Sequence, residues 1–385
     1  MKFTCATKDL RKALNIVKMA VPTKPDTPIL SGLHIVAKGD KATLHGASFQ
    51  SVAVCDIPAT VKTEGEILIN AKRLLDIAEE IDGDTVSFNE NETYLSVRSG
   101  KSAFKLIMMK LEQFPALPDT ATDWGNKVSV TAKKLHALYK ETAFALKRNS
   151  KGMRKEDARP IFSGINCFVE KDKLTFAATN QARMAVKSVP CNVDFDLFAV
   201  FPDKPLDSIV RCAIAEGDDC EVTLSFNAKR RGCMVSVDGW SVMFVVLSQD
   251  KTADIRTIIP KGYDTAIESD TEDLSGAITR MSLCGGVEEG FSEVAVKVGM
   301  DEIVISAKDP NLGWGTESVS CKTEGEEVTL SLNAGYLTDM MNAVPYTRFR
   351  AEMSGPNRAV VFTPVGAEGY KYVLVPLQQR AGAVA

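Results

Sequence analysis

The sequence predicts an α+β protein built from three tandem, similar units, each with two helices and antiparallel sheets. Three observations predict it. A strand–turn–strand segment recurs three times at nearly constant spacing. A helical segment headed by Asn or Asp recurs later in each unit. The strands come in hairpins, with too few helices between them for parallel crossovers.

The recurring hairpin is readable by eye. Pro28-Ile-Leu-Ser-Gly-Leu-His-Ile-Val is followed by a polar turn at 38–41 and by Ala42-Thr-Leu-His-Gly-Ala-Ser48. Pro160-Ile-Phe-Ser-Gly-Ile-Asn-Cys-Phe-Val, a turn at 170–173 and Leu174-Thr-Phe-Ala-Ala-Thr179 repeat it 132 residues on. Gly290-Phe-Ser-Glu-Val-Ala-Val-Lys-Val, a turn at 299–302 and Ile303-Val-Ile-Ser-Ala307 repeat it after a further 130. β-Branched and apolar runs on either side of a short polar turn are a hairpin signature.

Each unit opens with an amphipathic helix, expected at 7–21, 131–146 and 271–283. Leu10, Leu14, Val17 and Val21, for example, form one stripe at helical spacing. A second helix is expected at 70–81, 202–214 and 333–344, capped by Asn70, Asp203 and Asn333, with Pro205 in a first turn. The unit boundaries are placed at 1–126, 127–250 and 251–385.

Composition excludes several classes of protein. Hydrophobic residues make up 45% of the 385, ordinary for a folded chain. No run approaches the roughly 18 apolar residues of a membrane helix, and the N-terminus lacks a signal-peptide core. A cytoplasmic protein with no membrane contact is expected. The nine cysteines show no C-x-x-C pair, so they read as buried apolar residues rather than disulfides or metal ligands. Three histidines, His34, His45 and His136, form no metal motif. No phosphate loop or nucleophile elbow exists, and Gly285-Gly-Val-Glu-Glu-Gly290 reads as a plain loop. A non-enzymatic chain without cofactor or metal is expected.

The net charge of −4 is unevenly spread: 0 over 1–127, +3 over 128–250 and −7 over 251–385. Any nucleic-acid contact must therefore be a local basic face. Candidate cations lie on the helices: Lys8, Arg11, Lys12 and Lys18; Lys72 and Arg73; Lys133, Lys134 and Lys140; Lys204 and Arg211; Arg280. The segment Lys147-Arg-Asn-Ser-Lys-Gly-Met-Arg-Lys155 adds five cations without an acid. Such groups suit sequence-independent contact with phosphates.

Several landmarks, in order, make the sequence recognisable. Met1-Lys-Phe-Thr4, Pro28-Ile-Leu30, Val97–Lys101, Phe114-Pro115, Ala178-Thr-Asn-Gln-Ala-Arg183, Ala185-Val186 and Tyr372-Val-Leu-Val-Pro376 together resemble the bacterial DNA polymerase III beta subunit, the sliding clamp, over essentially the whole chain. The resemblance implies the DNA clamp fold. Two chains would close head to tail into a homodimeric ring around duplex DNA, with helices lining the hole. The clamp would tether the replicative polymerase for processive synthesis.

The resemblance also implies a pocket between the second and third domains. It would bind a short peptide of DNA polymerase, clamp-loader and repair partners. Carried over position by position, it comprises Phe162, Thr179, Arg183, Met184, Ile258, Phe291, Asn333, Tyr336, Val373, Leu374, Val375, Pro376 and Leu377. The implied DNA contacts are Lys24, Arg73, Arg148, Asn149 and Arg159. The chain departs from the family at Asn180-Gln181-Ala182, where Asp-Gly-His is usual, and at Val375-Pro376-Leu377, where Met-Pro-Met is usual. Thr257 lies where an arginine is usual nearby, and residues 378–385 run past the common end.

Overall fold

A computed structural model describes residues 1–25, 27–114, 124–146, 159–227, 231–250, 254–284, 287–288, 291–311 and 313–378. Among the described residues the α-helices are α1 (Thr7–Val17), α2 (Ala71–Glu80), α3 (Ala132–Ala143), α4 (Pro160–Ser163), α5 (Asp203–Ala215), α6 (Thr271–Ser282) and α7 (Ala334–Ala343). All but the one-turn α4 were expected. Pro160 favours that extra turn, because its fixed φ and missing N–H suit a first helical position. Asp203 is the first residue of α5 rather than its cap. Asn70 and Asn333 are caps: each side-chain oxygen accepts the backbone N–H three residues on, Arg73 at 3.1 Å and Tyr336 at 3.2 Å.

The three hairpins form as expected, in antiparallel register. His34 faces His45, Cys167 faces Phe176, and Val296 faces Ile305. Around them each third of the chain runs strand, helix, three strands twice over; the middle third adds α4, and the last adds the short strands Val287–Glu288 and Lys322–Glu324.

The chain divides into two compact units, Met1–Leu135 with Lys204–Val246, and His136–Asp203 with Leu247–Ala385. The middle repeat is thus split between them. In the first unit a 12-stranded sheet runs from the first repeat into the middle one through Ser51–Thr63 and Trp240–Val245, with Cys55 opposite Trp240. In the second a 9-stranded sheet runs from the middle repeat into the third through Arg183–Pro190 and Tyr370–Leu374. Backbone hydrogen bonds, not only side-chain packing, therefore cross both repeat boundaries.

The core follows strand alternation and helix stripes. Leu10, Ala13, Leu14 and Val17 of α1 are buried, and the helix packs on strands that bury Phe3, Cys5, Leu44 and Ala53. Gly46 is required where α1 crosses: a Cβ there would lie 2.4 Å from the Val17 carbonyl oxygen. A polar brace ties the middle repeat to the first. Glu216 accepts from Lys12 Nζ at 2.7 Å and from Trp240 Nε1 at 3.1 Å.

His34 and His45 stack at 5.2 Å between ring centroids. His34 Nε2 lies 2.9 Å from Glu66, while the buried Nδ1 of His45 finds no hydrogen-bond partner among the described residues. Burial first, and then the neighbouring His34, pushes the His45 pKa down from 6.5 to about 4. Between those values the unfolded chain binds a proton that the folded chain rejects. This contribution to stability is full above about pH 6.5 and is lost as pH falls through 4. Urea unfolding at pH 7 and pH 4.5 is expected to show a drop on the order of 1–3 kcal/mol from this group. His45→Gln should flatten that drop; an unaltered drop would assign it to other groups.

Candidate functional site

The candidate site lies wholly within the second unit, where Arg183–Pro190 pairs with Tyr370–Leu374. Arg183 stands opposite Leu374, and Met184 opposite Val373. Successive residues of a strand point to opposite faces. The residues carried over from the family therefore divide between two faces of one sheet.

On one face sits Arg183, only 7% exposed. Its Nη1 donates to Asp339 at 2.7 Å and its Nη2 to the Phe144 carbonyl at 2.5 Å. The guanidinium lies 4.2 Å from the Tyr336 ring centroid and 5.5 Å from that of Phe144. Leu374 is fully buried. Tyr372 donates to the Tyr336 carbonyl at 3.0 Å, and burial raises its pKa above the ordinary tyrosine value. Tyr336 is half-buried on α7, and Asn333, 5% exposed, is fixed as that helix's cap.

The turn before Arg183 is knitted by its own side chains. Thr179 Oγ1 donates to the Arg183 carbonyl at 2.7 Å and accepts from Gln181 N at 3.2 Å. Asn180 accepts from the backbone of Ala182 and Arg183 and donates to the Tyr336 hydroxyl at 3.2 Å. These bonds hold Gln181 at φ +80°, a conformation that favours glycine. Glycine is the residue usual in the family there.

On the other face Met184 and Val373 join an apolar cluster with Phe168, Phe198, Ile255 and Val361. Ile161 of α4 packs on it, and Phe162 is half-buried beside it in sequence. Ile258 closes the 3₁₀ turn Ile255–Ile258 and is 64% exposed. Val375 is 44% exposed, and its N–H donates to the Ala182 carbonyl at 2.9 Å. Pro376 is buried, and Leu377 N donates to Ser331 O at 2.8 Å. Phe291 opens the strand Phe291–Val298, with only its backbone described.

Further along the Arg183 face is an ion pair that sequence reading missed. Lys187 Nζ lies 2.9 Å from Glu141, with side chains 11% and 6% exposed. The Tyr346 hydroxyl accepts from Lys187 at 2.5 Å and donates to Glu141 at 2.8 Å. Burial, reinforced by Glu141, raises the Tyr346 pKa above its ordinary value. No spacing rule links residues 141, 187 and 346, so only the fold reveals them.

The helical cations separate into three groups. Arg11 reads in sequence as a surface charge, but it caps α2 instead, donating to the carbonyls of Ala78 at 2.6 Å and Ile81 at 2.7 Å. Lys12, Lys133, Arg211 and Arg280 pair with Glu216, Asp218, Asp207 and Glu317. Lys8, Lys72, Arg73, Lys134, Lys140 and Lys204 are exposed. Lys24 and Arg159 are exposed as well; Arg148 and Asn149 lie outside the described residues. Among the described residues no His, Cys, Asp and Glu cluster could hold a metal, and no helix is long and apolar enough to cross a membrane.

Comparison with known proteins decides the family. Residues 1–118, 129–247 and 256–378 match the N-terminal, central and C-terminal domains of the DNA polymerase III beta subunit. The chain belongs to the DNA polymerase III beta subunit family. A beta sliding clamp of Staphylococcus aureus is 24% identical, with 98% of this chain and 99% of the relative aligned. The Bacillus subtilis DNA polymerase sliding clamp shares the fold at TM-score 0.89 and 23% identity, over 99% of this chain and all of that one. A Pseudomonas aeruginosa sliding clamp bound to griselimycin matches at TM-score 0.88 and 21% identity, over 98% and 100%. As a DNA polymerase III beta subunit, this chain is a sliding clamp, a processivity factor rather than an enzyme.

The buried pair gives a test that involves no ligand. Lys187→Met leaves Glu141 without its cation and is expected to cost about 3–5 kcal/mol in urea unfolding. Adding Glu141→Leu should restore much of that loss, because the double variant buries no lone charge. Equal losses in the single and double variants would contradict this reading of the pair.

Proposed function

We propose that two copies of this clamp close head to tail by pairing the strand Ser102–Met109 of one with the strand Gly313–Ser320 of the other. The observation that carries the reading is a pair of open sheet edges. Among the described residues, Gly313–Ser320 ends its sheet with no strand beyond it. Residues Ser102–Ile107 of the strand Ser102–Met109 pair with Tyr94–Ser99, but on its other side, among the described residues, only Met108 and Met109 are matched. Both edges display large apolar residues, Ile107 at 76% exposure and Trp314 at 80%. Open, apolar edges invite strand pairing, and ring closure would cover both.

The ring would surround duplex DNA and hold it without reading its sequence, through exposed cations such as Lys24, Lys72, Arg73 and Arg159. Arg148 and Asn149 are proposed to join them. The cytoplasm is the proposed location. The apolar face carrying Met184, Val373, Val375 and Ile258, flanked by Phe162, would form the groove for short peptides of polymerase and clamp-loader subunits. Griselimycin would bind there too. Arg183, Asn333, Tyr336 and Thr179 would keep that groove's backbone in place, and Phe291, Leu374, Pro376 and Leu377 would complete its surroundings.

Light scattering at moderate salt is expected to give twice the chain mass, and Ile107→Asp should give monomers. A wild-type chain that stays monomeric at micromolar concentration would sink the ring and favour a peptide-binding adaptor. Removing Lys72 and Arg73 together should weaken binding to a nicked DNA circle. It should also make the log–log salt slope shallower by about 2, near 0.9 per lost phosphate contact. An unchanged slope would take those residues out of the DNA path.

A further inference from the structure

We infer that Arg256 is a positioning residue for the proposed groove: it clamps segment 254–260 against the strand Gly164–Glu170, so that Ile258 stands as a fixed apolar wall. The inference rests on the groove reading above. The segment has little to hold it from within. Its 3₁₀ turn is stabilised by two backbone bonds, Thr257 N to Asp254 O and Ile259 N to Arg256 O, each 3.2 Å. Such turns are short and have poor hydrogen-bond geometry.

Side chains supply the rest, and Arg256 supplies most of it. Nη1 and Nη2 donate to the two carboxylate oxygens of Glu170 at 3.0 and 2.9 Å. Nε and Nη2 donate to the two oxygens of Asp254 at 2.9 and 2.8 Å. The flat face of the guanidinium lies 3.9 Å from the centroid of the Phe168 ring. Phe168 belongs to the same apolar cluster as Met184 and Val373. The cation thus binds the turn to the floor of the groove through both its edges and its face, a geometry lysine cannot copy. Lys173, 3.4 Å from Glu170, balances the second carboxylate. The hydrogen bond from Arg256 holds the Glu170 pKa below its ordinary value, so the clamp stays ionised at neutral pH.

Two residues along, Ile258 is mostly exposed while Ile255 is 7% exposed and Ile259 packs on the cluster. An aliphatic side chain held out from so firmly anchored a turn is placed to meet a ligand's apolar group.

Hydrogen exchange of the ligand-free dimer tests the clamp directly. Arg256→Met is expected to speed exchange of the 255–259 amides at least tenfold and to leave the strands Arg183–Pro190 and Tyr370–Leu374 unchanged. Griselimycin titration then tests its purpose. Arg256→Met should bind at least fivefold more weakly, and Arg256→Lys should not restore wild-type affinity. Ile258→Ala should weaken the wild type but subtract nothing further from Arg256→Met, whereas a general loss of stability would make the two losses multiply. Wild-type exchange in Arg256→Met, or multiplying losses, overturns the inference. Glu170→Gln reads the same clamp if Arg256→Met does not fold. A wild-type chain that ignores griselimycin overturns the groove reading instead, and the exchange measurement, which needs no ligand, still decides the clamp.

Discussion

The backbone pairing of Arg183–Pro190 with Tyr370–Leu374 is the constraint on which the candidate site depends. It joins residues almost two hundred positions apart and sets which side chains share a face. A one-residue slip of Arg183–Pro190 would turn Arg183 onto the face now held by Met184, putting a guanidinium into the apolar cluster. Such a slip is opposed from both faces. Arg183 finds its carboxylate and carbonyl only on the helix side, and Lys187 finds Glu141 and Tyr346 there too. Each of these charge-assisted bonds contributes on the order of 1.5–3 kcal/mol, and an unpaired buried charge would cost more. Polar side chains thus fix the register, while apolar burial supplies most of the cohesion.

The same division of labour runs along the strand's approach. Thr179 and Asn180 together make five hydrogen bonds that shape the turn, and Gln181 is carried in a left-handed conformation as a consequence. The loss of the family's usual glycine at this point has not unmade the turn, because the flanking threonine and asparagine define it. Val375 is then bonded directly to Ala182, so the backbone at 375 follows whatever path the turn takes.

Much of the fold could be read from sequence because it is local. The hairpins of the first and third repeats carry period-two burial, the middle one is buried on both faces, and Asn70 and Asn333 announce their helices one residue ahead. Family likeness then named Arg183, Met184 and Val373. It could not say that Arg183 faces away from Met184, because that follows from alternation along a strand whose register is set by a distant partner. Arg11 was misleading for a similar reason: a helix-surface arginine and a helix-capping arginine look alike until the end of α2 is placed beside it. Glu141, Lys187 and Tyr346 are three ordinary residues whose meaning is created entirely by tertiary packing. Asp254 and Arg256 were the nearest to legible, lying beside the position of the arginine usual in the family, but Glu170 lies 86 positions away.

Sheet continuity across the repeat boundaries has a consequence for ancestry and for engineering. A threefold sequence repeat suggests beads that could be shuffled, duplicated or swapped one at a time. Here the middle bead is not a separable object, since one half of it completes the sheet of its predecessor and the other half completes the sheet of its successor. A crossover at the sequence boundaries would sever two hydrogen-bonded seams at once. Chimeras with other clamps should therefore be joined inside the middle repeat, between its two halves, where the sequence offers no visible border.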